Sequence, residues 1–159
     1  MLRRVLAVSV MCLVPLAAIA PCSAAEEDQV KEAFTSFQTA VKAKDADKLW
    51  DLLDSASRDA AGKAAKTYND AYAKAKDDKK KELEKNLGLT AAELTGLTPK
   101  TFLKSNKYYG KYHEVQGSTI EKIAVAGDKA TVFYKEEDGD KEKLGFVKQD
   151  GKWKVAAAP

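Results

Sequence analysis

The fold is decided by Thr119–Ala157, TIEKIAVAGDKATVFYKEEDGDKEKLGFVKQDGKWKVAA. Turn signals punctuate this stretch at nearly even spacing, at Gly127-Asp128, Asp138-Gly139 and Asp150-Gly151. Asp-Gly suits a tight hairpin because both central residues of a type I′ turn need positive φ angles, which Gly adopts freely and Asp tolerates. We therefore predict four antiparallel strands joined as a meander.

Side chains alternate between the turns, as expected for strands with one buried face. Three groups alternate in this way: Ala130, Val132 and Tyr134; Leu144 and Phe146; Trp153 and Val155. An apolar sheet face must pack against another layer, and the helical segments upstream are the candidates. Alternation alone does not fix the register, and a slip of one residue would exchange the two faces.

The upstream half reads as helices. Between residues 28 and 44 the apolar positions recur at the spacing of one helix face: Val30, Ala33, Phe34, Phe37, Ala40 and Val41. A break at Lys44–Asp47 precedes a second apolar stripe that contains Trp50 and Leu53. Helices joined this closely turn sharply and pack as a pair.

The middle of the chain predicts further helices with clear ends. Residues 59–86 are rich in Ala, Lys and Glu and predict one long helix, with Gly88 as its C-cap. Thr90 begins a capping box, and Thr98-Pro99 begins another helix. The aromatic stretch Tyr108–His113 is predicted to be an extended, non-helical lead-in to the sheet.

The first residues have the pattern of a secretory signal peptide. A basic start is followed by an apolar run and by small residues up to Ala25. We predict a signal peptide at 1–25 and a single α+β domain at 26–159, mainly helical over 26–106 and mainly β over 107–159. The protein is then exported, periplasmic or secreted, with no membrane segment in the mature chain. The alternative is lipid attachment at Cys22.

The charge is nearly balanced. The chain has 27 basic and 24 acidic residues, and loss of Arg3 and Arg4 with the signal peptide leaves 25 against 24. Nucleic acid is therefore not expected as a partner, since its binding needs a concentrated basic surface. Arg58 is the sole arginine left, and both cysteines, Cys12 and Cys22, precede the predicted cleavage.

No catalytic motif, metal site or cofactor site is recognisable. His113 is the only histidine and is either a general base or an ordinary surface residue. Glu136–Asp140 resembles a calcium loop in composition, but the ligand spacing is absent, which favours a solvated hairpin tip.

Aromatic residues suggest one candidate pocket between helices and sheet, with a packed core as the alternative. The predicted lining is Phe34, Trp50, Tyr68, Phe102, Tyr134 and Trp153. Such a pocket would take a small apolar ligand.

The order of elements resembles an exported bacterial member of the nuclear transport factor 2-like superfamily. The resemblance rests on Phe34–Ala40, the joint Lys44–Leu53 and the closing strand Gly151–Val155. It implies N-terminal helices lying across a curved antiparallel sheet, a cone with a pocket at its open end.

The superfamily includes ketosteroid-isomerase-like and polyketide-cyclase-like enzymes as well as binding modules, so the fold leaves the function open. No motif allows a catalytic residue to be assigned. We expect a non-enzymatic module that binds a small apolar ligand or a protein partner, or forms a homodimer through the outer sheet face. The alternative is an isomerase, cyclase or hydratase with an Asp/Tyr or His113 acid–base pair.

Overall fold

The computed structural model describes residues 24–157. Its helices are α1 (Ala24–Ala43), α2 (Ala46–Leu52), α3 (Ser55–Lys74), α4 (Asp77–Leu87), α5 (Ala91–Thr95), α6 (Pro99–Phe102), α7 (Asn106–Tyr112) and a 3-10 helix (His113–Gly117). The strands are β1 (Thr119–Ala126), β2 (Lys129–Lys135), β3 (Lys141–Gln149) and β4 (Lys152–Ala156). Helices followed by one antiparallel sheet confirm the predicted α+β class. Most of the predicted signal peptide, with Cys12 and Cys22, lies outside the described residues.

Three predicted helix boundaries are confirmed by their capping geometry. Gly88 ends α4 in the left-handed conformation, with φ of 64°. Thr90 and Glu93 form a reciprocal capping box at the start of α5. The Thr98 side chain accepts a hydrogen bond from the Thr101 amide, and Pro99 occupies the first turn of α6. Side-chain caps at these positions satisfy amides that have no partner within the helix.

The prediction for Tyr108–His113 was wrong, because the stretch is helical. Ser105 caps α7 by accepting a hydrogen bond from the Tyr108 amide at 3.3 Å. Tyr108 and Tyr112, one turn apart, are both buried on the same side of the helix. Tertiary packing of these two rings outweighs the modest helix propensity of a stretch containing tyrosines and a glycine.

The long helix predicted over residues 59–86 is two helices. The first begins earlier, at Ser55, because the Asp54 carboxylate accepts a hydrogen bond from the Ser57 amide at 2.8 Å. The chain becomes extended at Ala75, and α4 begins at Asp77. Asp77 and Asp78 lie in the first turn of α4, where negative charge stabilises a helix start.

The sheet is the predicted meander, with strand order β1-β2-β3-β4 and every pair antiparallel. At the β3–β4 turn Asp150 has φ of 51° and Gly151 has φ of 72°. Both values are positive, as the type I′ turn requires. A bulge at Glu121 shifts the register of β1 between Ile120 and Lys122.

The core lies between α1 and the inner face of the sheet. Phe34 and Phe37 of α1 are fully buried. The Phe34 ring centroid lies 5.4 Å from that of Tyr134 and 6.5 Å from that of Phe146. The inner face consists of the residues that alternation grouped together: Ala130, Val132, Tyr134, Leu144, Phe146, Trp153 and Val155, all buried.

The two edges of the sheet differ. At β4 the segment before α3 covers the edge, since Leu53 forms a parallel bridge to Val155 and the Asp54 amide donates to the Val155 carbonyl at 3.0 Å. Edge strand β1 pairs with β2 alone and carries the bulge. Across residues 24–157, no helix combines the length and hydrophobicity that crossing a bilayer demands.

Candidate functional site

The six aromatic residues predicted to line a pocket lie in the interior or at its margin. Phe34, Phe102, Tyr134 and Trp153 are buried, each at most 5% exposed. Trp50 and Tyr68 are partly buried against the core.

Contacts join some of these residues in pairs. Phe34 packs on Tyr134, and Tyr68 stacks on Phe102 with centroids 5.7 Å apart and rings inclined by 19°. The Arg58 guanidinium lies 5.3 Å from the centre of the Trp50 ring, and both residues line a groove of about 410 Å³. Trp153 lines another groove of about 420 Å³ with α1. A ligand in the space between helices and sheet stays a prediction.

A second region brings carboxylates together. The end of β2 and the turn after it face the 3-10 helix across a cavity of about 240 Å³. We call this cavity the acidic pocket; its lining is His113, Glu114, Gln116, Gly117, Glu136, Glu137 and Asp138. Oxygens of Glu114, Glu136 and Asp138 all lie within 4.8 Å of one another.

The hairpin backbone holds the acidic pocket in place. The Glu136 amide donates to the Asp140 carbonyl at 2.8 Å, and the Asp138 carboxylate accepts from the Asp140 amide at 3.1 Å. Glu137 folds over Gly117 so closely that a Cβ at this glycine would clash with the Glu137 carboxylate. The predicted hairpin tip at Glu136–Asp140 is thereby confirmed.

Electrostatics single out Glu136 in the acidic pocket. Burial, then the hydrogen bond and charge of Glu114, and then the charges of Asp138 and Glu142 raise the pKa of Glu136 to about 7. The pKa of Glu136 rises because placing a second negative charge beside a carboxylate costs free energy. Three carboxylate oxygens also suit a hard cation, although exposed acidic groups of this kind are common in proteins without one.

His113 sits at the rim of the acidic pocket. Its Nδ1 lies 3.0 Å from the Gly110 carbonyl oxygen, and its Nε2 lies 3.6 Å from Glu114 Oε1. Its side chain is 45% exposed. Sequence reasoning missed Glu114 as a partner of Glu136, since it took the preceding residues as extended and therefore could not bring the 3-10 helix to the hairpin.

The opposite side of the sheet is strongly basic. We call this surface the outer sheet face; the strand register assigns to it Thr119, Lys122, Ala124, Ala126, Lys129, Thr131, Phe133, Lys135, Lys141, Lys143, Gly145, Val147, Gln149, Lys152, Lys154 and Ala156. Seven of these residues are lysines. Two acidic side chains lie among them: Glu121 pairs with Lys141 at 2.9 Å, and Glu142 lines a groove of about 310 Å³ with Phe133, Lys141 and Lys143.

The outer sheet face is organised in rows that run across the strands. Lys122, Phe133 and Lys143 are direct neighbours on β1, β2 and β3. Phe133 is 38% exposed, and it is the one exposed large hydrophobic residue in the described part of the chain. The next row consists of the small residues Ala124, Thr131, Gly145 and Ala156.

The row after that is basic again. Lys129 lies beside Val147, which lies beside Lys154. The Lys154 ammonium donates to the Asp51 carbonyl, whereas Lys129 is exposed. The small residues therefore form a shallow strip between two lysine-bearing rows. The alternation of side chains in the sequence indicates this basic face. The net charge of the whole chain does not, because acidic residues elsewhere balance the lysines.

Comparison with known proteins adds no assignment. No protein-family model, curated protein or solved structure matches this chain. The resemblance to the nuclear transport factor 2-like superfamily thus stays a prediction.

Proposed function

We propose that this protein is a non-enzymatic association module that binds an anionic partner through the outer sheet face. One observation carries the proposal: the sheet of a nearly neutral chain has seven lysines on one side. Lys141 pairs with Glu121 and Lys154 bonds to the Asp51 carbonyl, which leaves five for a partner. Surface charge of one sign attracts a partner of the opposite sign and speeds its association.

Another lysine-rich region of the molecule shows why position matters. In α4, Lys79 bonds to Glu82 at 2.7 Å, and Asp77, Asp78 and Glu84 lie among the other lysines. Charges of both signs cancel along that helix. On the outer sheet face, Lys135 lies directly opposite Lys141, and Glu121 neutralises only Lys141. Like charges opposite each other cost stability within the isolated protein. An anionic partner would relieve this repulsion.

The same charges argue against the homodimer considered from the sequence. A two-fold dimer through the outer sheet face would bring two sets of lysines together, and like charges across an interface are unfavourable. A partner of opposite charge fits this surface better than a second copy does.

Salt-dependent retention on an immobilised polyanion such as heparin tests the proposal. We expect Lys122→Gln/Lys143→Gln to elute at clearly lower salt than the unaltered protein. The matched control Lys81→Gln/Lys85→Gln removes the same charge from α4, where both lysines are exposed, and should elute close to the unaltered protein. Equal shifts for the two double variants would contradict the proposal.

Export is part of the proposal and rests on the pattern of the first 25 residues. Intact-mass analysis of the native protein should find a chain that begins near Ala25 or Glu26. A mass that retains Cys22 with an attached lipid would support the anchored alternative instead. We also retain the cone as a proposal, supported by the helices that precede and cover a single antiparallel sheet.

A second candidate function is acid–base chemistry in the acidic pocket. It is favoured by the raised pKa of Glu136 in a cavity that also contains Glu114 and His113. Carbon-13 NMR of the Glu136 carboxyl group should give a titration midpoint near 7, absent in Glu136→Gln. A midpoint near the ordinary value of 4.5 would remove this candidate.

A further inference from the structure

We propose that the anionic partner of the outer sheet face is the phospholipid headgroup surface of a membrane. This inference rests on the proposed function and names the chemistry of the partner. It concerns peripheral binding by a sheet face and requires no membrane-spanning segment.

The first argument is the type and layout of the charges. All basic groups on the outer sheet face are lysines, which act as flexible point charges, whereas recognition of a particular phosphate or carboxylate normally uses the arginine fork. Successive rows on one face of a sheet lie about 7 Å apart along the strands. Several ammonium groups can therefore meet separate headgroups at once, without selecting any one of them.

The second argument is the position of Phe133. It lies in the row between Lys122 and Lys143, and it is the one large hydrophobic side chain of residues 24–157 that is more than a third exposed. When the flanking lysines contact headgroup phosphates, this ring is carried into the boundary between headgroups and acyl chains. An apolar side chain there adds binding energy to the electrostatic attraction.

The third argument is shape. The strip beside Phe133 carries only Ala124, Thr131, Gly145 and Ala156, and a Cβ at Gly145 would meet only the Ala156 Cβ, at 3.6 Å. The lysines and Phe133 therefore stand higher than this strip of small residues. A soluble polyanion would contact the lysines but not Phe133. A lipid surface would contact both. Phe133 is therefore the residue that distinguishes a lipid surface from other anionic partners.

Co-sedimentation with vesicles tests the inference on the mature chain. We expect binding to vesicles of phosphatidylglycerol and phosphatidylcholine in equal parts and none to phosphatidylcholine alone. Binding should weaken as sodium chloride screens the charges. Lys122→Gln/Lys143→Gln should lower the partition coefficient about 30-fold, because each lysine near an anionic surface contributes about a factor of five. Lys81→Gln/Lys85→Gln serves as the charge-matched control and should change it far less.

Phe133→Ser decides between lipid and other anions. We expect it to lower vesicle binding about tenfold, as the loss of a buried aromatic ring implies, and to leave retention on heparin unchanged. Thermal unfolding followed by circular dichroism checks that each variant is folded.

The outcomes separate the two proposals. Heparin retention that depends on Lys122 and Lys143, without binding to anionic vesicles, overturns the lipid inference and leaves the association module standing. Vesicle binding that Phe133→Ser does not alter likewise overturns it. If the two double variants behave alike in both assays, the inference and the proposed function fail together.

Discussion

The two faces of the same four strands differ in what their side chains do. On β2, Val132 and Tyr134 are buried against α1, whereas Phe133 between them is exposed among lysines. The inner face is defined by shape, since aromatic and aliphatic side chains must fill a fixed space. The outer face is defined by charge, and we expect substitutions there to leave the fold intact. Stability and binding should therefore be separable by mutation.

The largest expected effect separates two phenylalanines of the sheet. Phe146 is 1% exposed and contacts Phe34, whereas Phe133 is 38% exposed. We expect Phe146→Ala to lower the free energy of unfolding by about 3–5 kcal/mol, because it removes buried area and leaves a cavity. Phe133→Ala should change it by less than about 0.5 kcal/mol. Urea unfolding of both variants measures the difference, and similar losses would break the distinction between the faces.

A smaller effect on the free energy of unfolding is expected from the ionisation of Glu136, which follows the last residue of β2. Because its pKa is raised to about 7 in the folded protein, the folded state holds the proton more tightly than the unfolded state, whose value is near 4.5. The stabilisation from this proton is complete below pH 4.5 and is lost as the pH rises through 7. Solvent screening reduces the full shift, so we expect a loss of about 1 kcal/mol.

Glu136→Gln should abolish that dependence. The variant cannot ionise, so its unfolding free energy should exceed that of the unaltered protein at pH 8 and match it at pH 4. Chemical denaturation at both pH values provides the measurement. A difference that persists unchanged at pH 4 would show that the effect of the substitution is not electrostatic.

The Tyr108 hydroxyl is a buried polar group whose removal should not lower the free energy of unfolding. The Tyr108 hydroxyl is buried without a hydrogen-bond partner among residues 24–157, and burial raises its pKa. We expect Tyr108→Phe to be neutral or to stabilise by up to about 1 kcal/mol, because an unsatisfied buried group costs free energy. Tyr72→Phe is the matched control: its hydroxyl donates to Glu84 at 2.7 Å, and losing this bond should destabilise. Destabilisation of equal size in both would refute the assignment of Tyr108.

The smallest expected effect lies on the outer sheet face. Lys135 and Lys141 are directly opposite across β2 and β3. Lys135→Gln should raise the free energy of unfolding by about 0.2–0.5 kcal/mol at low ionic strength, since it relieves a like-charge pair. The gain should vanish in 1 M salt, where charges are screened within about 3 Å. A gain that is independent of salt would point to packing rather than to charge.

Much of the fold could be predicted from residue order alone. Alternation in β2, β3 and β4 and three turn pairs indicate the meander, and capping residues such as Thr90 and Thr98 mark helix starts through bonds to nearby amides. These signals are local, which is why a single sequence contains them. The helix at Tyr108 could not be predicted in this way, because its stability comes from burying two tyrosines against elements distant in the chain.

The outer sheet face could be predicted from the sequence, whereas the acidic pocket could not. The lysines of the outer sheet face follow from the period of two once the inner residues are known. The acidic pocket does not, because Glu114 and Glu136 meet only when the 3-10 helix packs beside the second hairpin. Juxtapositions of this kind depend on tertiary structure, and a pattern within one segment does not contain them.

The contact between Phe34 and Tyr134 has a consequence for the order of folding. These rings touch although they are about 100 positions apart, and contacts so distant in sequence form slowly. A chain that emerges with its N-terminus first exposes the apolar stripe of α1 until the meander follows. Bonding of Asp54 to Val155 then requires the last strand as well. The end of the chain therefore determines when its beginning becomes buried.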